Sequence, residues 1–354
     1  MLPLILEASE LVQQKYTGSL RLLMMTSVRR LLISLPLLVI PLIWGCRRST
    51  ALQANRNQEQ AVLEQVEPVE LAVPVLPTRP DLPRSPSGAH YPLFPVHSDQ
   101  LALLLSDIEL AIRNPEVSPE AIPPLAHQQQ VIYRVLSHRP ALADQVRSKL
   151  EDRWRWVFDQ HLAARRSFLA MHRGPASSTL PAWRIQTPAP PDQLLKAYRS
   201  ASASTGIDWE VLAAVNLVET GMGRIDGISV ANAQGPMQFL PTTWMEPGIG
   251  RGGDIRDPWD AIHAAARYLV RRGGLQDIRK GLWGYNNSNH YGRAVVHYAD
   301  LLKRDPLAYR GLYHWQIHYA SSAGDLWLHE GYNQPQPINV LQYLRQNPHS
   351  RPAG

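Results

Sequence analysis

A mainly α-helical fold, with a separate N-terminal helical segment and a small C-terminal β-hairpin, is predicted by three observations. Apolar residues recur at helical spacing through 98–173 and 192–303. Glycine- and proline-rich connections punctuate these stretches. A period-two alternation is confined to the segment after residue 311. The 354 residues are 44% apolar and 19% charged, which excludes a wholly disordered or fibrous chain. That length favours one large or two ordinary domains with linkers. A single cysteine, Cys46, excludes an intramolecular disulfide framework and a Cys-based zinc site. The net charge is +6, and its arginines (31 against 5 lysines) are scattered rather than clustered, so no nucleic-acid partner is expected.

Taken in order, the chain opens with Arg29 and Arg30 followed by fourteen uncharged, mostly apolar residues, Leu31 to Trp44. The run is interrupted by Pro36 and Pro41 and is shorter than the roughly 20 residues a membrane span needs. It suits the apolar core of an export signal. Leu42-Ile43-Trp44-Gly45-Cys46 resembles the lipobox of bacterial lipoproteins, which implies lipidation at Cys46; an uncleaved signal anchor is the alternative. Residues 1–48 are therefore read as an export signal, and the bulk of the chain is expected in the cell envelope. Eight prolines between Pro68 and Pro95 make 49–97 an extended spacer.

From Ser98, Leu101, Leu104, Leu105, Ile108 and Ile112 mark one helical face, and Leu142, Val146, Leu150, Trp154, Val157, His161, Ala164 and Phe168 a longer one. This region, 98–173, is read as packed helices, with a protein partner as the functional alternative. A second proline cluster makes 174–191 a linker. Helices are predicted at 192–203, 208–220, 258–272 and 290–303, and Asp257-Pro258-Trp259-Asp260 has the form of a helix start. In the segment 304–335, Tyr313, Trp315, Ile317 and Tyr319 alternate with His314, Gln316 and His318, and Gly324-Asp325 precedes Leu326-Trp327-Leu328. An aromatic hairpin over 311–329, packed on the preceding domain, is expected. Residues 336–354 read as a loose tail.

Glu219 stands seven residues after Leu212 and four after Val215, on the inward stripe of an apolar helix ended by Gly221. Burial and the negative helix end both favour its protonated form. A carboxylic acid kept protonated near neutral pH is what glycosidic cleavage requires. The same position also suits a structural glutamate satisfied by a partner.

Further motifs follow: Ser229, then Gly235-Pro236-Met237-Gln238-Phe239-Leu240-Pro241, then Gly284-Tyr285-Asn286-Asn287-Ser288 with Tyr291. With Glu219-Thr220, this order resembles the lysozyme-like catalytic domain of bacterial lytic transglycosylases over 192–303, closest to the membrane-bound B-type branch. The resemblance implies that Glu219 is the catalytic acid/base. It further implies that Ser229, Met237, Gln238, Tyr285 and Asn286 bind the substrate, peptidoglycan glycan strands. The residue chemistry agrees: Gln238 and Asn286 each offer a donor and an acceptor to an N-acetylated sugar, and Met237 an adaptable apolar wall. Met237, Phe239 and Tyr285 could equally be plain core residues.

Most glycosidases use two carboxylates. Of Asp226, Glu246, Asp254, Asp257 and Asp260, none has a clear claim as the second. The resemblance implies a scheme without one: Glu219 protonates the glycosidic oxygen, and then takes the proton from the muramyl 6-hydroxyl to close a 1,6-anhydro ring. A hydrolytic muramidase and a non-catalytic peptidoglycan-binding lipoprotein are the alternatives. Some B-type relatives carry an acidic calcium loop, but here Gly248–Asp254 holds one acid and an arginine, too few oxygens for calcium. His314, His318 and His329 could form a ligand set, yet strand alternation explains the first two. No metal and no cofactor are expected.

Overall fold

The computed structural model describes residues 73–171 and 174–350. The apolar run 31–44 and Cys46 lie outside these residues. Four helices come first: α1 (Ser98–Arg113), α2 (Ile122–Ser137), α3 (Pro140–Lys149) and α4 (Asp152–Met171). After the short strands β1 (Thr179–Leu180) and β2 (Trp183–Ile185) come α5 (Pro191–Thr205), α6 (Trp209–Thr220) and β3 (Ile225–Gly227). Then follow α7 (Pro241–Trp244), α8 (Pro258–Arg271), α9 (Ile278–Tyr285), α10 (Asn289–Arg304) and α11 (Ala308–Tyr313). The chain ends with β4 (Ile317–Ser321), β5 (Gly324–Leu328), β6 (Ile338–Asn339) and α12 (Val340–Gln346). The fold is mainly helical, with small antiparallel strand pairs: β1 with β6, β2 with β3, and β4 with β5.

Helix ends follow their cap chemistry. The Asp257 side chain accepts from the Asp260 N–H at the start of α8, where Pro258 occupies the first turn. Asp277, Ser288 and Asn339 cap α9, α10 and α12 in the same way. Gly206 and Gly221 end α5 and α6 in the left-handed conformation that glycine tolerates best. Among the described residues no helix is long and apolar enough to cross a membrane.

One hydrophobic core runs from Leu101 in α1 to Trp315 and includes buried residues of all of α1–α11. The helices of 98–171 are thus set apart in sequence by the proline-rich stretch that follows, but joined in space to those of 191–313. Phe168 of α4 faces Tyr298 of α10, and Trp315 faces both Tyr298 and His161. A second, smaller core lies among the strands and α12, from Leu180 through Ile225, Ile317 and Leu328 to Leu344.

Four expectations differ from the observed chain. The spacer read over 49–97 does not run free to its end: Leu82, Pro83 and Pro92 are buried, Leu76 and Phe94 pack on the main core, and Tyr91 lies against His127, His318 and Trp327. The apolar residues between the prolines dock this strap. The linker read over 174–191 supplies β1 and β2, each paired with a distant strand. The tail read as loose from 336 forms β6 and α12, because Val340, Tyr343 and Leu344 share one buried helical face. The strand alternation also starts later than read. Tyr313 closes α11 with Tyr309 and Leu312, and β4 begins at Ile317.

Candidate active site

Helix α6 is buried from Val211 to Thr220, so its polar residues must find partners inside the protein. Thr220 Oγ1 donates to the Pro236 carbonyl (2.6 Å) and accepts from the Gly223 N–H (3.0 Å). Asn216 Nδ2 donates to the Met237 sulfur (3.1 Å). These bonds fasten the last turn of α6 to the 235–240 loop. That loop is closed by reciprocal bonds between Gln234 and Phe239. Gly235 (φ 73°) passes so close to Ile255 that an added Cβ would meet the Ile255 carbonyl oxygen at 1.9 Å. Only glycine fits there. Gln238 holds a left-handed backbone (φ 48°), with its Nε2 donating to the Gly235 carbonyl at 3.0 Å. Such strain in a side-chain-bearing residue is found at functional sites.

Glu219 is 4% exposed. Tyr291 Oη donates to its Oε1 at 2.7 Å, and among the described residues no cation forms an ion pair with it. Burial pushes its carboxyl up to about 8, against the Tyr291 bond, which lowers it. A second glutamate buried among the described residues, Glu109, shows what a structural carboxylate looks like here. It receives Tyr133, Gln129 and Arg113, at 2.6, 2.9 and 2.5 Å. Despite burial, Arg113, His161 and the bonds from Tyr133 and Arg113 hold it below the usual carboxylate range. Glu219 has no such satisfaction, and is poised to exist as an acid.

Tyr285 and Tyr291 stack nearly parallel (3°, centroids 6.4 Å apart). Tyr285 Oη donates to the Met237 carbonyl at 2.7 Å, which ties α9 to the Gln238 loop. Asn286 breaks the helical path between α9 and α10 with an extended backbone, and Ser288 caps α10 by accepting the Tyr291 N–H. The break therefore presents Tyr285 and Tyr291 to α6. Asn286 Oδ1 is buried and has no partner. Gln238, Tyr285 and Asn286 are all half-buried. Glu219, Met237, Gln238, Tyr285 and Asn286 are thus brought together around one set of bonds, with Asn286 joined through the backbone of Tyr285. Ser229 is buried but spends its hydroxyl on its own loop, accepting from the Ala233 N–H at 2.8 Å. Tyr291, which the sequence places only in a motif, and Asn216, which it does not mark at all, join the site through these bonds. Asn216 lies three residues before Glu219, on the same helical face.

The five other acids all have structural partners. Asp226 pairs with Arg184 and Arg256, and Glu246 with Arg271. Asp254 Oδ1 accepts the Arg256 N–H, Asp260 Oδ2 accepts the Asp254 N–H, and Asp257 caps α8. His318 is buried in bonds to His127 and Asp325, and His329 is bonded to the Glu330 carbonyl. His314 packs on Tyr313.

The family model described as Transglycosylase SLT domain matches residues 196–299, from α5 into α10. The match contains Glu219 together with Asn216, Thr220, Met237, Gln238, Tyr285, Asn286 and Tyr291. It supports a lytic transglycosylase family and a lyase-type activity on peptidoglycan. No curated protein and no solved structure matches the chain.

Proposed function

We propose that this chain is a peptidoglycan lytic transglycosylase, closest to the membrane-bound B-type branch, with Glu219 as its sole acid and base. The observation that carries this is Glu219 itself: a buried carboxyl within the matched SLT region, with one neutral hydrogen-bond donor and no ion-pair partner among the described residues. In the proposed reaction the Glu219 carboxylic acid donates its proton to the oxygen linking MurNAc to GlcNAc, and the C1–O bond breaks. The N-acetyl carbonyl of the muramyl sugar supports the electron-poor C1. The Glu219 carboxylate then takes the proton of the muramyl 6-hydroxyl as O6 bonds to C1. The products are a free GlcNAc 4-hydroxyl and a 1,6-anhydromuramyl end, and Glu219 regains its proton. An acid whose pKa lies near the working pH can serve in both directions. The structural occupation of the five other acids favours this single-residue scheme over a two-carboxylate one.

The Asn286 Oδ1, buried and without a partner, supports its reading as an acceptor for a sugar N–H. Gln238, Met237 and Tyr285 would complete the sugar-binding wall, and Ser229 would act by shaping the 229–233 loop. We place the protein in the cell envelope, anchored through lipid on Cys46. Mass spectrometry of muropeptides released from isolated peptidoglycan by the full chain tests the reaction. Anhydromuramyl ends are expected. Reducing ends would establish a hydrolytic muramidase, and binding without release a non-catalytic wall protein.

A further inference from the structure

Helix α2 buries an unusual row of polar side chains, His127, Gln128, Gln129, Gln130 and Arg134. Most of them are spent on a segment nearly 190 residues away. Gln129 Oε1 accepts the Trp315 Nε1–H at 2.9 Å. The Gln130 amide makes both bonds a neighbouring strand would make to Gln316, accepting its N–H and donating to its carbonyl, each at 2.8 Å. His318 Nε2 lies 3.1 Å from His127 Nε2, and Arg134 binds Asp325, which also holds His318 Nδ1. Three of the four residues 315–318 are therefore gripped by α2. The fourth, Ile317, is buried against the end of α6. Its Cδ1 lies 2.6 Å from where a Cβ on Gly221 would stand. Gly221 is two residues past Glu219 and donates its N–H to Leu217, closing the turn that carries the acid.

Packing at this contact is not dense elsewhere. A cavity of about 40 Å³ lies between Leu217, Val218 and Gly221 on one side and Trp315–His318 on the other. Ile317 is the side chain that spans the gap at the helix end. We propose that Ile317, clamped by α2 against Gly221, is a positioning residue that holds the last turn of α6 and so keeps Glu219, on the other face of that turn, seated against Tyr291. Both Ile317 and α2 lie outside the matched region 196–299. The N-terminal helices thereby act on the chemistry without touching the sugar. This inference rests on Glu219 being the acid.

Truncating Ile317 enlarges an existing void beside Leu217 and Val218 and frees the last turn, so that Glu219 leaves its buried seat for water. Less desolvation favours the charged carboxylate and outweighs the weakened Tyr291 bond, so Glu219 should titrate lower. The titratable groups electrostatically linked to it are Tyr291 and Tyr285, both held protonated by burial, so neither adds a charge that opposes this direction.

The test uses the purified full chain. The Glu219 carboxyl is titrated by 13C NMR, with Glu219→Gln to identify its signal, alongside kcat, KM and the pH profile of muropeptide release. Ile317→Ala should lower the Glu219 titration by about one pH unit and kcat about ten-fold. KM should change little, the basic limb of the pH profile should move down, and Ile317→Leu should restore both readouts. Leu328→Ala, at the cross-strand partner of Ile317, loosens the hairpin without vacating the space over Gly221. It should lower the melting temperature and leave the titration in place. A wild-type titration and kcat in Ile317→Ala, whatever its melting temperature, would overturn the proposal. If Ile317→Ala does not fold, Gln130→Ala carries the same test, and an unmoved Glu219 titration there overturns it equally. Absence of anhydromuramyl products from the unmodified chain would instead defeat the reaction assigned above, while the titration would still be readable.

Discussion

Tyr291 and Glu219, 72 residues apart in sequence, share a 2.7 Å hydrogen bond in which the phenol donates to the carboxyl. This bond is worth more to the carboxylate than to the acid, so it opposes the effect of burial on Glu219. The proton affinity of the proposed catalyst is therefore set by two opposed influences, desolvation from the α6 packing and one donor from α10.

Tyr291→Phe removes the donor and leaves the ring. Glu219 should then titrate higher by about one unit, and the basic limb of the activity profile should move up. Turnover should fall about ten-fold or more, because the carboxylate that must accept the 6-hydroxyl proton loses the one hydrogen bond it has among the described residues. A pH–rate series on both proteins checks this. An unchanged basic limb would show that Tyr291 does not tune the acid.

Glu219→Gln should abolish muropeptide release while keeping fold and glycan binding, since the amide is nearly isosteric but cannot donate the proton. It should also gain stability. Glu219 has a folded-state pKa raised from the usual 4.5 to about 8, so its stabilising effect is complete below pH 4.5 and lost as pH rises towards 8. At pH 8 the glutamine protein should therefore be more stable by a few kcal/mol, and the two should converge near pH 4. Thermal melts across that range decide it. Retained activity would remove Glu219 from the reaction.

How much of this was legible in the sequence depended on whether a residue's partner lay nearby. Glu219 declared itself through its spacing from Leu212 and Val215, and the ends of α6, α8 and α10 through Gly221, Asp257 and Ser288. These are local periodicities and caps. The role of Tyr291 was not legible, because a tyrosine on a buried helical face reads as packing until its hydroxyl is seen to reach another helix. Gln129 and Gln130 carry no signal in the local pattern, and only the distant Trp315 indole and Gln316 backbone explain their burial. Tyr313 was misplaced for a related reason. Its alternation with Trp315 and Ile317 mimicked a strand, whereas Tyr309 and Leu312 continue a helix to it.

The buried chain from Arg134 through Asp325 and His318 to His127 should make the protein sensitive to acid. Asp325 can only accept, so His318 carries its proton on Nδ1 and takes the His127 Nε2–H on its other nitrogen. Burial, with Arg134, depresses His318 to about 4, and burial, with His318, holds His127 well below its ordinary value. For groups depressed on folding, stability is present above the unfolded value of 6.5 and is lost as pH falls towards 4. The loss should amount to a few kcal/mol between pH 6.5 and 4. His318→Gln should flatten that part of the profile, measured by urea titrations at several pH values. An equally steep acid limb in the variant would assign the loss to other groups.

The region matched as an SLT domain, 196–299, should not fold when excised. Its helix α10 is covered on one side by α4 and on the other by α6, and Tyr298 at its buried face touches Phe168, His161 and Trp315, all outside the excised piece. Burying one large apolar side chain is worth roughly 1.5–3 kcal/mol, against a net domain stability of about 5–15 kcal/mol. Uncovering α10 and the Gly221 end of α6 together removes more than such a margin holds. Truncation after Arg304 should have the same outcome for fewer lost residues, because it deletes Trp315, Ile317 and most of the strand-side core, including Leu326 and Tyr343. Circular dichroism melts should show a cooperative transition for 73–350 and none for 196–299 or 73–304. A cooperative melt of the 196–299 fragment would mean that the surrounding helices and hairpin are additions to a self-sufficient domain rather than parts of its core.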